Sequence, residues 1–197
     1  MSDGPGLRRS LGPVFRWSEA QDAGMSDPRL YRLMRDGAVQ RITHGLYRWT
    51  DAEIEDLDLI EIAAVAPMAT LCLTTALARH DLTDEIPASI DVAVPRGTRA
   101  PNTAAPTTWH TFNTETFEIG RTLLPLADDF RIGLYEPVRT IIDCYRLRHL
   151  EGVELGRDAL KQWLRRRGSQ PAMLLQTAES SFPRVVPQLR ADLQVLL

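Results

Sequence analysis

Cysteine is scarce in this chain. Only Cys72 and Cys144 occur in 197 residues. They lie far apart, without a C-x-x-C pair, which excludes a disulfide framework and a thiolate zinc site. The four histidines (His44, His80, His110 and His149) are dispersed, and none has H-x-x-x-H or H-E-x-x-H spacing. There is no P-loop, no G-x-G-x-x-G and no G-x-S-x-G. Asp128 and Asp129 form a lone acidic pair that reads as a turn. A protein without catalysis, metal or cofactor is therefore expected. No secretory signal and no run apolar enough to cross a bilayer is found, so a cytoplasmic protein without membrane contact is expected. Positive charge is not in excess either. The net charge of −3 excludes a uniformly basic nucleic-acid binder but leaves room for a local basic surface.

Hydrophobic residues make up 44% of the chain, enough for a proper core. Charge is unevenly spread. Residues 1–50 hold eight arginines against five acids, whereas residues 51–61 hold six acids and no base. A boundary between Thr50 and Asp51 follows, with domains at 14–50 and 51–197. Residues 1–13, rich in Gly, Pro and Arg, are expected to be mostly disordered. In FRWSEAQDAG, Ser18 suits an N-cap and Gly24 a helix end, giving about two turns. A second helix starts after Ser26 or Asp27, with Pro28 in its first turn, and runs to about Asp36 before Gly37. Two short helices joined through Gly form a helix-turn-helix.

At about 100° per residue, Leu30, Leu33 and Met34 gather on one face of the second helix. Tyr31, Arg32 and Arg35 gather opposite, with Arg29 and Asp36 flanking. Val39–Thr43 and Leu46–Trp49 read as strands around a His44–Gly45 turn, carrying Arg41 and Arg48. A hairpin directly after a helix-turn-helix is a winged helix. Arg29, Tyr31, Arg32 and Arg35 are then the candidates for the major groove and its phosphates, and Arg41 and Arg48 for the wing. The competing reading is an ordinary solvated helix beside a small ribbon.

The order Ala-Gly-Met-Ser-x-x-x-Leu-x-Arg-Leu-x-Arg-x-Gly, then Val-x-Arg-Ile-x-x-Gly-Leu-Tyr-Arg, resembles the N-terminal winged helix of the AbiEi antitoxins of type IV toxin–antitoxin systems. ATLCLTTALARHDL (69–82), IDVAVPRGTR (90–99) and PVRTIID (137–143) look like further motifs of that family, in its order. Asp81 stands where glycine is usual, and Glu136 where serine or threonine is usual. The resemblance implies two roles: repression of its own operon by binding operator DNA, often at inverted repeats, and antagonism of a cognate nucleotidyltransferase-like toxin through the C-terminal domain, directly or indirectly. A homodimer would match an inverted repeat. The alternatives are a stand-alone winged-helix regulator, or an interaction protein with a vestigial DNA-binding domain.

Further along, residues 54–66 and 70–80 read as helices, and Ile90, Val92 and Val94 alternate as a strand. Residues 107–113, 117–119 and 130–134 are further strand candidates. Residues 95–106 read as a loop whose Arg96 and Arg99 are either solvated or a second cationic contact. Residues 137–150 should be helical, with Arg139 and Asp143 paired four apart. Residues 158–167 form a helix ending in Arg165, Arg166 and Arg167. That triplet either matches the helix dipole or binds phosphates or an acidic partner. The leucine-bearing tail, 187–197, either closes the core or makes an interface. The fold class expected is α+β: a winged helix-turn-helix followed by a mixed α/β domain with a small sheet.

Overall fold

The computed structural model describes residues 4–127 and 129–197. Asp128, half of the acidic pair, lies outside the described residues, as do the first three residues of the expected disordered opening. The chain forms two compact units. One comprises the residues up to Pro67 together with Pro125–Ile132; the other comprises Met68–Leu124 and Gly133–Leu197.

The first unit opens with helix α1 (Gly4–Ser10), where disorder was expected. Leu7 and Leu11 are buried there, so the stretch is held by packing its low-complexity composition did not reveal. Strand β1 (Val14–Arg16) leads into α2 (Trp17–Asp22). The cap position is Arg16, not Ser18. Arg16 is still extended as it leaves β1, and its backbone N–H donates to the Glu19 carboxylate at 2.6 Å. Then come α3 (Asp27–Arg35), β2 (Val39–Thr43), β3 (Leu46–Trp49) and α4 (Leu57–Val65). Gly37 and Gly45 take the left-handed φ values, +74° and +73°, that end α3 and turn the hairpin.

The three strands form an antiparallel sheet in the order β1-β3-β2. Strand alternation gives it two faces. Phe15, Tyr47, Trp49 and Val39 pack with Leu7, Ala20 and Leu30 of the helices and with Met25 from the turn between α2 and α3. Val14 and Leu46 pack with Ile60 of α4, and Leu126, Ala127 and Phe130 join them. The unit therefore reaches past the charge step at Thr50 and Asp51, because α4 covers the sheet's second face.

The second unit holds β4 (Thr70–Leu71), α5 (Leu73–Arg79), β5 (Ile90–Pro95), β6 (Thr107–Phe112), β7 (Arg121–Pro125) and β8 (Arg131–Tyr135), whose outer ends run into the first unit's 125–132 segment. The strand order is β6-β5-β4-β8-β7, with β5 parallel to β6, and β4 antiparallel to β5 but parallel to β8. Helices α6 (Pro137–Arg146), α7 (Arg148–Glu151), α8 (Val153–Leu164), α9 (Pro171–Ser181) and α10 (Val186–Leu196) complete it. Several expectations fail here. The helix expected over 158–167 starts at Val153 and ends at Leu164, before the arginine triplet, and the one expected over 137–150 is interrupted at Leu147. The stretch 70–80 opens as strand, because Thr70 and Leu71 pair on both sides. Residues 117–119 are not a strand; a 3-10 turn at Thr114–Thr116 precedes them, and pairing begins only at Arg121. Asp81 has φ +52°, the left-handed conformation that glycine takes more cheaply. The tail closes the core: Leu189 and Leu193 are buried with Leu160, Trp163 and Leu174.

Candidate nucleic-acid interface

Helix α3 is divided by its periodicity. Leu30 is buried, and Leu33 and Met34 are half-buried against the first unit's core. The opposite side is open. Tyr31 is 70% exposed, Arg32 and Arg35 are exposed, and Arg29 is half-buried. Arg35 meets only Asp36, at 3.5 Å, with both side chains largely in solvent; such a pair contributes little. Among the described residues, Arg29 and Arg32 have no ion pair. Three guanidinium groups spaced three residues apart, with a phenol beside them, thus carry at most the weak, solvent-exposed Arg35–Asp36 pair among the described residues. This is chemistry suited to phosphate oxygens and base edges.

The hairpin separates its two arginines. Arg41 pairs in register with Tyr47, and Gln40 with Arg48. Residues opposite each other share a face, so Arg41 lies on the face that carries α3 and Arg48 on the other. Arg41 is exposed at the hairpin end, where its Nε donates to the Thr43 carbonyl at 3.1 Å and its Nη2 lies 3.0 Å from His44 Nδ1. Arg48 donates to Gln40 Oε1 at 3.0 Å and lines a hollow with Glu53, Glu55 and Asp56. The structure therefore puts Arg29, Tyr31, Arg32 and Arg35 on α3, Arg41 on the sheet face that carries α3, and Arg48 on the opposite face. Sequence spacing alone cannot show this, because it depends on the hairpin register.

Arg8 and Asp51, neither singled out by sequence, form a bridge of 2.5 Å beside Trp49, with the Arg8 guanidinium 5.8 Å from the indole centroid. The bridge holds the Asp51 carboxyl below its ordinary range.

In the second unit, Arg96 and Arg99 are exposed on the loop after β5, and Arg165, Arg166 and Arg167 are exposed after α8. Arg166 has a structural task, donating to the Asp81 carbonyl at 2.5 Å. Arg139 and Asp143 pair as expected, at 2.9 Å and fully buried. His110 meets Asp91 across β5 and β6 at 3.0 Å, a contact between strands that spacing along the chain does not signal. Among the described residues no helix is long and apolar enough to cross a membrane, and no cluster of three or more metal-binding side chains forms.

The fold and the free basic face define the first unit as a winged helix within an α+β protein. Residues 7–50 match the sequence model of a family described as "Transcriptional regulator, AbiEi antitoxin". That family is one of regulators rather than enzymes. The match spans under a quarter of the chain. No curated protein matches the sequence. Among solved structures, the RV2827C protein of Mycobacterium tuberculosis is similar in fold. It has a TM-score of 0.53 at 16% identity, over 96% of this chain and 78% of that one.

Proposed function

We propose that this protein is an antitoxin that represses its own operon, binding operator DNA through α3 and the hairpin. The observation that carries this reading is the row Arg29, Arg32 and Arg35 with Tyr31. Tyr31, Arg32 and Arg35 lie open, and Arg29 half-open, on the helix that a winged helix inserts into the major groove, within the segment that matches the antitoxin regulators. Arg41 extends the contact toward the neighbouring backbone. The second unit counters a nucleotidyltransferase-like toxin, and two copies bind the halves of an inverted repeat.

Fluorescence anisotropy with labelled DNA from upstream of the gene tests the first part. Arg32→Ala and Arg35→Ala should each weaken binding by about 1–3 kcal/mol if they read bases. Unchanged affinity in the double variant would reject the interface. Arg41→Ala should weaken binding more than Arg48→Ala. Co-purification with the product of an adjacent nucleotidyltransferase-like gene tests direct antagonism.

A further inference from the structure

The second unit contains a concentration of positive charge that the DNA interface does not use. Arg139 is 1% exposed. Its Nε donates to Asp143 Oδ2 at 2.9 Å, and its Nη1 donates to the carbonyls of Thr116 and Ile119, both at 2.6 Å. Its Nη2 is buried without a hydrogen-bond partner among the described residues. Arg146 takes the other oxygen of the same carboxylate, its Nε at 3.1 Å and Nη2 at 2.9 Å from Asp143 Oδ1. One buried carboxylate thus serves two guanidinium groups. Phe182 and Phe112 lie against both cations: Phe182 at 4.8 Å from Arg139 and 5.7 Å from Arg146, Phe112 at 5.6 Å and 4.5 Å.

Beside this cluster is a hollow of about 400 Å³, lined by Arg146 and Arg184, by the polar side chains of Asn113, Thr116 and Ser181, and by Phe182. None of the described residues lining it is acidic. Arg146 commits Nε and Nη2 to Asp143, and among the described residues its Nη1 makes no hydrogen bond. Arg139 and Arg146 share the buried Asp143 carboxylate and Arg184 adds a third guanidinium at the hollow, while the exposed Glu115 carboxylate lies outside the lining in the turn between Asn113 and Thr116. A phosphate monoester carries about −1.5 to −2 at neutral pH and offers three strong acceptor oxygens. The volume falls within the range of small-ligand sites, about 300–1,000 Å³, and exceeds the needs of a bare phosphate.

We propose that this hollow is a binding site for a small organic phosphate, held by Arg146 and Arg184 with Asn113, Thr116 and Ser181 as neutral partners. Arg139 supplies charge from behind the Phe182 ring. The site is independent of the DNA interface and of the reading given under Proposed function.

Calorimetric titration of the full chain with inorganic phosphate, ribose 5-phosphate, adenosine monophosphate and adenosine, at constant ionic strength, tests the assignment. The phosphate-bearing compounds should bind, and adenosine should not. Tighter binding of both organic phosphates than of inorganic phosphate supports the site as drawn, and adenosine monophosphate against ribose 5-phosphate tells a nucleotide from a sugar phosphate. Arg184 is exposed, so Arg184→Gln should fold normally and weaken binding about tenfold or more. Arg190→Gln, whose guanidinium pairs with Glu179 at 2.5 Å, is the control and should leave binding unchanged. No binding by any phosphate compound, equal binding of adenosine, full affinity in Arg184→Gln, or equal loss in Arg190→Gln would overturn the proposal. Failure of this test leaves the DNA titration untouched, and the reverse also holds.

Discussion

A methyl group added at Gly133 would collide with the Thr70 hydroxyl and stand 2.8 Å from Arg121 Nε and 2.9 Å from the Ala69 carbonyl. This is where β8 lies parallel to β4, and the glycine is required for space rather than for conformation. Gly133→Ala should cost about 1–3 kcal/mol in urea denaturation, the usual penalty for overfilling a packed site. Asp143 is the second point of concentrated cost. Its burial pushes the carboxyl upward while Arg139 and Arg146 pull it down. Removing its charge leaves two guanidinium groups facing each other without an anion. Asp143→Asn should therefore destabilise the protein by about 3–5 kcal/mol. Half of this arrangement was legible. The four-residue spacing of Arg139 and Asp143 on a helix announces their pair, because such residues share a face. The carbonyls of Thr116 and Ile119 come from a turn some twenty residues upstream, and no local pattern points to them.

Helix α10 shows what a periodic apolar face can and cannot tell. Leu189, Leu193, Leu196 and Leu197 at helical spacing identified the helix but not its target. The structure buries Leu189 completely and leaves Leu197 81% exposed. Leu189→Ala should cost about 2–5 kcal/mol, whereas Leu197→Ala should stay within about 0.5 kcal/mol, both by thermal unfolding. At the other end, α1 was missed because its composition argues against order, and only Leu7 and Leu11 meeting a core reveal it. Strand β1 was missed for a related reason: three residues carry no alternation long enough to read, and pairing with β3 is what makes them a strand. Where period and punctuation agree, as in α3 and the hairpin, the bounds were legible to within a residue.

The Arg8–Asp51 bridge makes the attachment of α1 sensitive to acid. The folded carboxyl lies below its ordinary value of 3.8, so the bridge's contribution is present above that value and is lost as pH falls through the depressed one. Indole emission should shift on acidification below about pH 4 as Arg8 leaves Trp49. Asp51→Asn should remove that step, and its persistence in the variant would exclude the bridge as the cause.

For the whole molecule, charge is a matter of place. A chain of net charge −3 carries its free guanidinium row on one helix of the first fifty residues. DNA affinity should fall steeply with salt, and each phosphate-contacting arginine changed to alanine should reduce the slope of log K against log salt by about one. Acidic residues elsewhere do not cancel this effect where the Debye length is about 8–10 Å. The charge step at Thr50 and Asp51 was legible in composition. That the first unit also recruits residues 125–132 was not, because a return of the chain leaves no mark in local pattern.

That return has a consequence for synthesis. Phe15, Leu30, Val39 and Trp49 can assemble as soon as the opening fifty residues leave the ribosome. Leu126, Ala127 and Phe130, which help cover the opposite side of the same small sheet, arrive only when about two thirds of the polypeptide has been made. From about residue 50 to about residue 130 of synthesis, the sheet can therefore have its helical side complete while its other side rests on α4 alone.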